Sequence, residues 1–181
     1  MTPTARRLVP ANLRSRAFVA LALLGFATPA LAVHIDGHID PGEWRGARHI
    51  TDFRKVQPFN GEPASQPTEA WVLSTPKGLA IAFRCVQPPG VPRTRQRIRR
   101  DENAQVDKVN LMIDFNGDGR TGYDFTVTLN NDIDDAVITS ETTFNTDWDG
   151  NWKHAVSEDA KGWSVEMLIP WYIAPMRAAD G

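Results

Sequence analysis

The sequence predicts an all-β fold, an antiparallel β-sandwich. Hydrophobic residues recur at every second position in several short segments, and Gly, Pro, Asn and Asp mark turns between those segments. No window of about 11 residues carries the hydrophobic period of an amphipathic helix. Short alternating strands separated by turns are typical of antiparallel sandwiches.

Seven segments alternate in this way and are predicted to be strands. In chain order they are residues 68–74, 79–86, 109–115, 123–129, 135–140, 152–157 and 162–169. Residues 75–78 form a tight turn, so the first two strands should make a hairpin. In the first strand Ala70 and Val72 face one side of the sheet, whereas Trp71 faces the other.

The last predicted strand has the clearest alternation. Its hydrophobic positions are Trp163, Val165, Met167 and Ile169, and its polar positions are Ser164 and Glu166. This pattern predicts a half-buried strand that ends at Pro170. The chain stops soon afterwards at Gly181. We expect a carboxyl-terminally truncated domain that lacks its last strand, which would leave the sheet edge beside residues 162–169 unpaired.

Two segments interrupt the strand pattern. Residues 59–67 are rich in Pro, Gly and Ser and predict an exposed loop. Residues 88–104 carry five arginines between Arg93 and Arg100, followed directly by Asp101 and Glu102. Two interpretations stay open for this segment: a partly self-neutralised loop or short helix, or a site for phosphates or acidic sugars.

The amino end has the pattern of a secretory signal peptide. Residues 1–32 contain four Arg and no acidic residue, then an apolar run, then a small-residue cleavage motif that ends at Ala32. The apolar run is too short to span a membrane stably. We predict cleavage after Ala32 and export to the periplasm, the outer membrane or the extracellular space.

The remaining residues, 33–181, form one predicted domain. Their formal charge is −6, because the signal peptide takes four positive charges from a chain of net charge −2. This acidic balance argues against general nucleic-acid binding. Cys85 is the sole cysteine of the chain, so no internal disulfide can form. Cys85 lies on the same side of its predicted strand as the alternating hydrophobic residues, which predicts a buried core thiol.

The start of the mature domain predicts a tight turn followed by a single helical turn. Asp36-Gly37 suits the tight turn, and Asp40 can cap the helical turn. Glu43 stands where a capping box would place it. Trp44 would then point into the core.

Six blocks follow one another across residues 34–172. They are Ile35-Asp-Gly-x-Ile-Asp-x-x-x-Trp44, Thr68-Glu69, Gly78-Leu-Ala-Ile-Ala-Phe-Arg-Cys85, Asp107-x-Val-x-Leu-x-Ile-Asp114, Trp148-Asp-x-x-Trp152 and Gly162-Trp-x-x-Glu-x-x-Ile-Pro-Trp171. Their order resembles the family 9 carbohydrate-binding-module-like domain, in the version at the amino end of exported bacterial proteins with a following outer-membrane barrel-like region. The resemblance implies an immunoglobulin-like β-sandwich, glycan binding, association with polysaccharide breakdown, and one or two further strands after Ile169.

Sugar-binding members of the family stack aromatic rings on the pyranose and bind its hydroxyls with amides, carboxylates and Arg. Trp148 lies in a polar loop, and Trp71 takes the outward position of its strand. The candidate ligand-binding residues are therefore Trp71, Trp148, Asn145, Asp147 and Asp149. The motif positions of Trp152, Trp163 and Trp171 are those expected in the core.

The segment from Asp114 to Gly119 matches the first half of a calcium loop, with oxygen ligands at alternate positions. Asp114, Asn116 and Asp118 are the candidate ligands. The bidentate Glu that would close such a loop is missing, since Phe125 occupies its position. A hairpin loop rich in turn residues explains the same pattern equally well.

The sequence gives little support for catalysis. No facing carboxylate pair, nucleophile motif or His pair at metal spacing can be singled out. The prediction is an exported, non-catalytic module that binds cell-wall or plant polysaccharide or oligosaccharide. One alternative is a structural domain that docks against a following outer-membrane barrel and binds no sugar. A second is a b-type haem sandwich with Met112 and His154 as axial ligands.

Overall fold

The computed structural model describes residues 32–100, 105–140 and 142–177, and within these ranges it is all-β. The first sheet has the spatial order β1-β2-β3-β9-β8, with strands β1 (Arg48–Ile50), β2 (Thr68–Thr75), β3 (Gly78–Val86), β8 (Lys153–Asp159) and β9 (Gly162–Pro170). The second sheet has the order β4-β5-β6-β7, with β4 (Lys108–Ile113), β5 (Thr121–Thr128), β6 (Ile133–Thr139) and β7 (Thr143–Asn145). A 3-10 turn, Trp171–Ile173, follows β9. All strand pairs are antiparallel, which confirms the predicted sandwich.

All seven predicted strands are present, with shifts of a few residues at their ends. The structure adds two strands, β1 and β7, which have three residues each and are exposed throughout. Such short segments carry too few positions to show an alternation, so their formation depends on pairing with β2 and β6. Most of the predicted signal peptide, residues 1–31, lies outside the described residues. Within the described ranges, no helix has the length and apolar character needed to cross a membrane.

The core lies between the two sheets and is built from the predicted inward positions. Among its members are Ala70, Ile81, Phe83, Val109, Tyr123, Phe125, Val127, Trp152, Trp163, Val165, Met167 and Ile169. Cys85 packs against this core at the predicted inward position, although it is partly buried and not fully buried. Burial raises the pKa of its thiol to about 12, so the thiol stays protonated and unreactive at neutral pH.

Strand β9 occupies the interior of the first sheet rather than an edge. It pairs with β3 on one side and with β8 on the other. The expected unpaired edge beside residues 162–169 is therefore wrong, because the β8–β9 hairpin inserts next to β3. Strand β9 is also not half-buried, since the polar positions Ser164 and Glu166 are as buried as its hydrophobic ones.

The amino-terminal segment explains this burial, because it covers the outer face of the first sheet. Trp44 packs there with Ala80 and Ala82 in a second hydrophobic cluster, so it is buried outside the sandwich core and not inside it. The indole N–H of Trp44 donates to Glu166 Oε1 at 3.0 Å. Glu166 Oε2 accepts the backbone N–H groups of Asp36 and Gly37, each at 3.0 Å.

Gly37 allows this close approach of the segment. Its φ is 87°, and a Cβ at this position would lie 2.6 Å from the backbone carbon of Val156. The hydroxyls of Ser157 and Ser164 both lie 2.6 Å from the Gly37 carbonyl oxygen and donate to it. Glu43 departs from the predicted capping box, because its carboxylate accepts the backbone N–H of His34.

Candidate functional site

Trp148 lies between β7 and β8, on the rim of the core. Its ring contacts the edges of Tyr123 and Phe125 of β5, with centroid distances of 5.2 Å and 6.1 Å. The side chain is partly buried against the core cluster and partly exposed. Trp148 is therefore a loop residue whose ring packs against the core and is not fully exposed.

A buried carboxylate holds the Trp148 loop in place. Asp135 is fully buried on the inward side of β6. Its Oδ2 accepts the backbone N–H of Gly150 and the indole N–H of Trp152, both at 2.9 Å. Arg100 Nη2 donates to both carboxylate oxygens, at 2.6 Å and 2.8 Å. The guanidinium supplies the countercharge that makes burial of this carboxylate tolerable.

Arg100 links the buried carboxylate to the surface. Its Nε lies 2.8 Å from Asp149 Oδ1, on the exposed side of the same loop. Sequence analysis placed Arg100 in the arginine-rich segment and did not identify its pairing with Asp135 or the role of that pair in holding the Trp148 loop. The alternation of the strand could have revealed Asp135, because it places this carboxylate on the inward face between Ile133 and Val137.

The other predicted polar residues surround the same loop. Asn145 and Asp147 are exposed, and the Asn145 side-chain oxygen accepts the backbone N–H of Asp147 at 3.1 Å. Tyr172, which the sequence did not single out, is 75% exposed, and its hydroxyl donates to the Asn151 carbonyl at 3.4 Å. The structure thus places a partly exposed indole, an exposed phenol, an amide and carboxylates at one end of the sandwich.

Trp71 lies on a different surface, the outer face of the first sheet. The ring of His49 stacks on it, with centroids 4.7 Å apart and an interplanar angle of 11°. Beside Trp71 is an open pocket of about 380 Å³, lined by Ile39, Pro41, Trp44, Trp71 and Arg84. Arg84 Nη2 is already bound to both carboxylate oxygens of Asp159, at 2.8 Å and 2.9 Å. Trp71 and Trp148 therefore belong to two separate surfaces.

The predicted calcium ligands share one loop, but their oxygens have protein partners. Asp114 accepts backbone N–H groups at both oxygens, at distances of 2.7 to 3.0 Å, which lowers the pKa of its carboxyl. Asp118 pairs with Arg177 at 2.8 Å, and the Asn116 oxygen accepts the Arg177 backbone N–H at 2.9 Å. No group of three or more His, Cys, Asp or Glu side chains suited to a metal occurs in the described ranges. Calcium binding stays a prediction.

The proposed haem ligands do not face each other. Met112 is exposed on the outer side of the second sheet. His154 is on β8 in the first sheet, where its ring centroid lies 5.1 Å from that of Trp152. Burial, with a smaller contribution from the Arg100 charge, lowers the pKa of His154. Because Met112 faces out of the sandwich, whereas His154 lies on the inward side of the other sheet beside Met167, the two side chains cannot ligate one haem, and this ligand pair is wrong.

The arginine-rich segment is docked on the protein through ion pairs. Arg93 pairs with Glu158 at 3.0 Å and donates to the backbone carbonyl of Asp159 at 2.8 Å. Arg95 also pairs with Glu158, and Arg100 is engaged by Asp135. Asp101 and Glu102, the predicted neutralising partners, lie outside the described residues. The carboxylates that bind these three arginines come from β6, from β8 and, in the case of Asp149, from the loop that carries Trp148.

No family model and no curated protein matches this chain. The chain is similar to a crystal structure from Bacteroides uniformis, with a TM-score of 0.52 and 12% sequence identity. The protein in that structure is named as a candidate for carbohydrate binding. The match covers 76% of this chain and 67% of that one. At this identity the likeness shows a shared fold alone.

Proposed function

We propose that this chain is an exported, non-catalytic carbohydrate-binding module that serves polysaccharide breakdown, with its sugar site at the Trp148 loop. Two independent findings support the proposal. The fold is shared with a solved structure named for carbohydrate binding. The end of the sandwich around Trp148 combines an aromatic ring with polar groups, which suits the apolar faces and hydroxyl rims of sugars.

The observation that carries the proposal is the packing of the Trp148 ring against the core. The ring rests on Tyr123 and Phe125, and Asp135 fixes the following turn through Gly150. A binding ring that is already in place loses little conformational entropy when a ligand stacks on it. Asn145 and Asp147 lie beside it, exposed and able to bind hydroxyls.

The Trp71 surface supports sugar binding less well. One face of the Trp71 ring is covered by His49, and the pocket beside the ring is walled by Ile39, Pro41 and Trp44. Its charged group, Arg84, already donates to Asp159. Hydroxyl recognition there would have to break an existing ion pair, whereas the Trp148 loop offers an exposed amide and an exposed carboxylate.

The test is a binding titration of neutral plant and microbial cell-wall oligosaccharides, followed by tryptophan fluorescence and calorimetry. Trp148→Ala should weaken binding about tenfold or more, since a lost stacking ring costs on the order of 1 to 3 kcal/mol. Asn145→Ala should weaken binding by a smaller factor, because it removes one hydrogen-bonding amide. Trp71→Ala is the matched control and should retain affinity. Loss of binding in Trp71→Ala alone would move the site to the other surface. If no oligosaccharide binds, the docking role without sugar replaces the proposal.

A further inference from the structure

The outer face of the first sheet has a second open pocket, at the turn between β2 and β3. Its volume is about 380 Å³, and none of its described lining residues belongs to the pocket beside Trp71. We call it the turn pocket. Its lining residues include Val33, Arg45, Leu73, Lys77 and Leu168.

The walls of the turn pocket are aliphatic. Leu73 of β2 and Leu168 of β9 flank Ala80 in one cross-strand row, and Val33 packs against the same cluster. Leu168 is the single residue of β9 that is not fully buried. Among the described residues that line the pocket, none is aromatic. An aliphatic chain therefore fits these walls better than a ring that needs a stacking partner.

The charged groups of the turn pocket are positive. Arg45 and Lys77 both line it, and both are exposed. None of its described lining residues is acidic, although residues 33–181 carry a formal charge of −6. This contrast with the rest of the protein indicates a ligand that brings a negative group to the pocket.

The turn that carries Lys77 is held by several hydrogen bonds. The Thr75 hydroxyl accepts the backbone N–H groups of Lys77 and Gly78, each at 3.2 Å, and donates to the Gly78 carbonyl at 2.8 Å. The indole N–H of Trp171 donates to the Thr75 carbonyl at 2.9 Å, which ties the turn to the end of β9. The Lys77 side chain therefore starts from a fixed backbone beside the pocket, which reduces the cost of ordering it around a ligand.

The predicted cleavage after Ala32 would add a further positive charge at the same place. Ala32 and Val33 both line the pocket. Cleavage would remove Ala32 and give Val33 a free α-amino group, which is positively charged at pH 7. The Glu43 carboxylate accepts the backbone N–H of the next residue, His34, at 2.8 Å and holds this part of the segment in place.

We infer that the turn pocket binds a straight-chain aliphatic carboxylate, with the chain against Leu73 and Leu168 and the carboxylate at Lys77. Arg45 and the α-ammonium group of Val33 supply further positive charge. The volume is near the lower end for ligand pockets, which suits a single chain and not a membrane lipid with two. This ligand is additional to the sugar of the proposed function, and only the part played by Val33 depends on the predicted cleavage.

Octanoate is the probe, titrated by calorimetry at neutral pH into the processed chain, residues 33–181, which contains both sheets. Octanoate should bind. 1-Octanol has the same chain without the charge and should bind about fivefold more weakly or less, whereas acetate, which lacks the chain, should not bind. Lys77→Gln changes an exposed turn residue and should weaken octanoate binding severalfold without affecting folding. Leu168→Ala should also weaken it, because the chain loses apolar contact.

Lys161→Gln is the charge-matched control, because Lys161 is exposed in the β8–β9 turn, at the opposite end of the first sheet. Equal losses in Lys77→Gln and Lys161→Gln would mean general attraction of anions and would overturn the inference. Equal affinity for 1-octanol would overturn the carboxylate requirement, and tighter binding of trans-cinnamate would overturn the aliphatic class. Binding to phosphatidylglycerol vesicles without binding of octanoate would assign the surface to a membrane lipid instead.

Two further measurements separate the parts of the inference. Acetylation of the α-amino group of Val33 should weaken octanoate binding severalfold, and unchanged affinity would overturn the part assigned to this group. Lys77→Gln should leave oligosaccharide binding unchanged, whereas Trp148→Ala should leave octanoate binding unchanged. Failure of the turn pocket can therefore be told apart from failure of the sugar site, and loss of octanoate binding in Trp148→Ala alone would overturn the location of the carboxylate.

Discussion

Glu166→Gln tests whether the amino-terminal segment is held by one buried carboxylate. The wild-type side chain accepts three N–H donors, from Trp44 at one oxygen and from Asp36 and Gly37 at the other. Glutamine has the same shape but one oxygen, so its NH₂ group must face at least one of these donors. We therefore expect the segment to lose part of its attachment to the first sheet.

The magnitude follows from these three contacts. A buried donor left without an acceptor costs about 1 to 3 kcal/mol, and hydrogen bonds to a charged acceptor are at the upper end. Removal of a buried charge offsets part of this loss, because burial raises the pKa of Glu166. The expected net loss is about 2 kcal/mol, which lowers the melting temperature by roughly 4 to 8 °C for a domain of this size.

Thermal denaturation and hydrogen exchange at the Asp36 and Gly37 amides measure this effect. The control is Glu62→Gln, which removes a single surface ion pair with Lys55. The control should change stability by no more than about 1 kcal/mol. A Glu166→Gln protein with wild-type melting and unchanged protection of the Gly37 amide would refute the reasoning, because the carboxylate would then not hold the segment.

Three further predictions concern the tryptophans of the core and its rim, the predicted calcium loop and the stability of the domain at acidic pH. Trp163→Ala should lower the free energy of unfolding by about 3 to 5 kcal/mol. Trp148→Ala should lower it by less than half of that, because the Trp148 ring is only partly buried. Equal losses for the two variants in chemical denaturation would make Trp148 a core residue. If the loop from Asp114 to Gly119 binds calcium, a calcium chelator should lower the melting temperature and Asp118→Ala should abolish that fall, whereas an unchanged melting temperature would leave only a hairpin loop. The Arg84 hydrogen bond lowers the pKa of Asp159 below 3.8, so its stabilisation is present above that value and is lost as the pH falls through the lowered pKa. Asp159→Asn should therefore flatten the decline in melting temperature between about pH 5 and pH 2, and an unchanged slope would contradict the role of this pair.

The sequence predicted the strands of the sandwich and their inward faces because a period of two is directly visible in the residues. The inward positions of Trp163 and Cys85 follow from that period. The burial of Glu166 could not be predicted, because it depends on a segment more than a hundred residues away in the chain, with a separation of 129 residues to Gly37. Local patterns carry no information on such a contact.

The candidate site was predicted in part. The polar setting of Trp148 indicated a surface residue, and the loop residues Asn145 and Asp147 are exposed. The packing of Trp148 on Tyr123 was not visible, because contacts between different strands depend on how the sheets fold together. The same limit applies to Arg100, whose pairing with Asp135 joins a loop and a strand that are 35 residues apart.

The internal position of β9 has a consequence for how the protein folds. Phe83 of β3 pairs with Val165 of β9, so one side of β3 stays open until the chain has been synthesised beyond residue 165. Pairing between such distant segments closes slowly, and an open strand edge invites pairing with other chains in the meantime. A chain cut before residue 162 would lose the middle of its first sheet, leaving β8 separated from β1-β2-β3. Premature termination in this last segment should therefore prevent folding of the domain instead of trimming its edge.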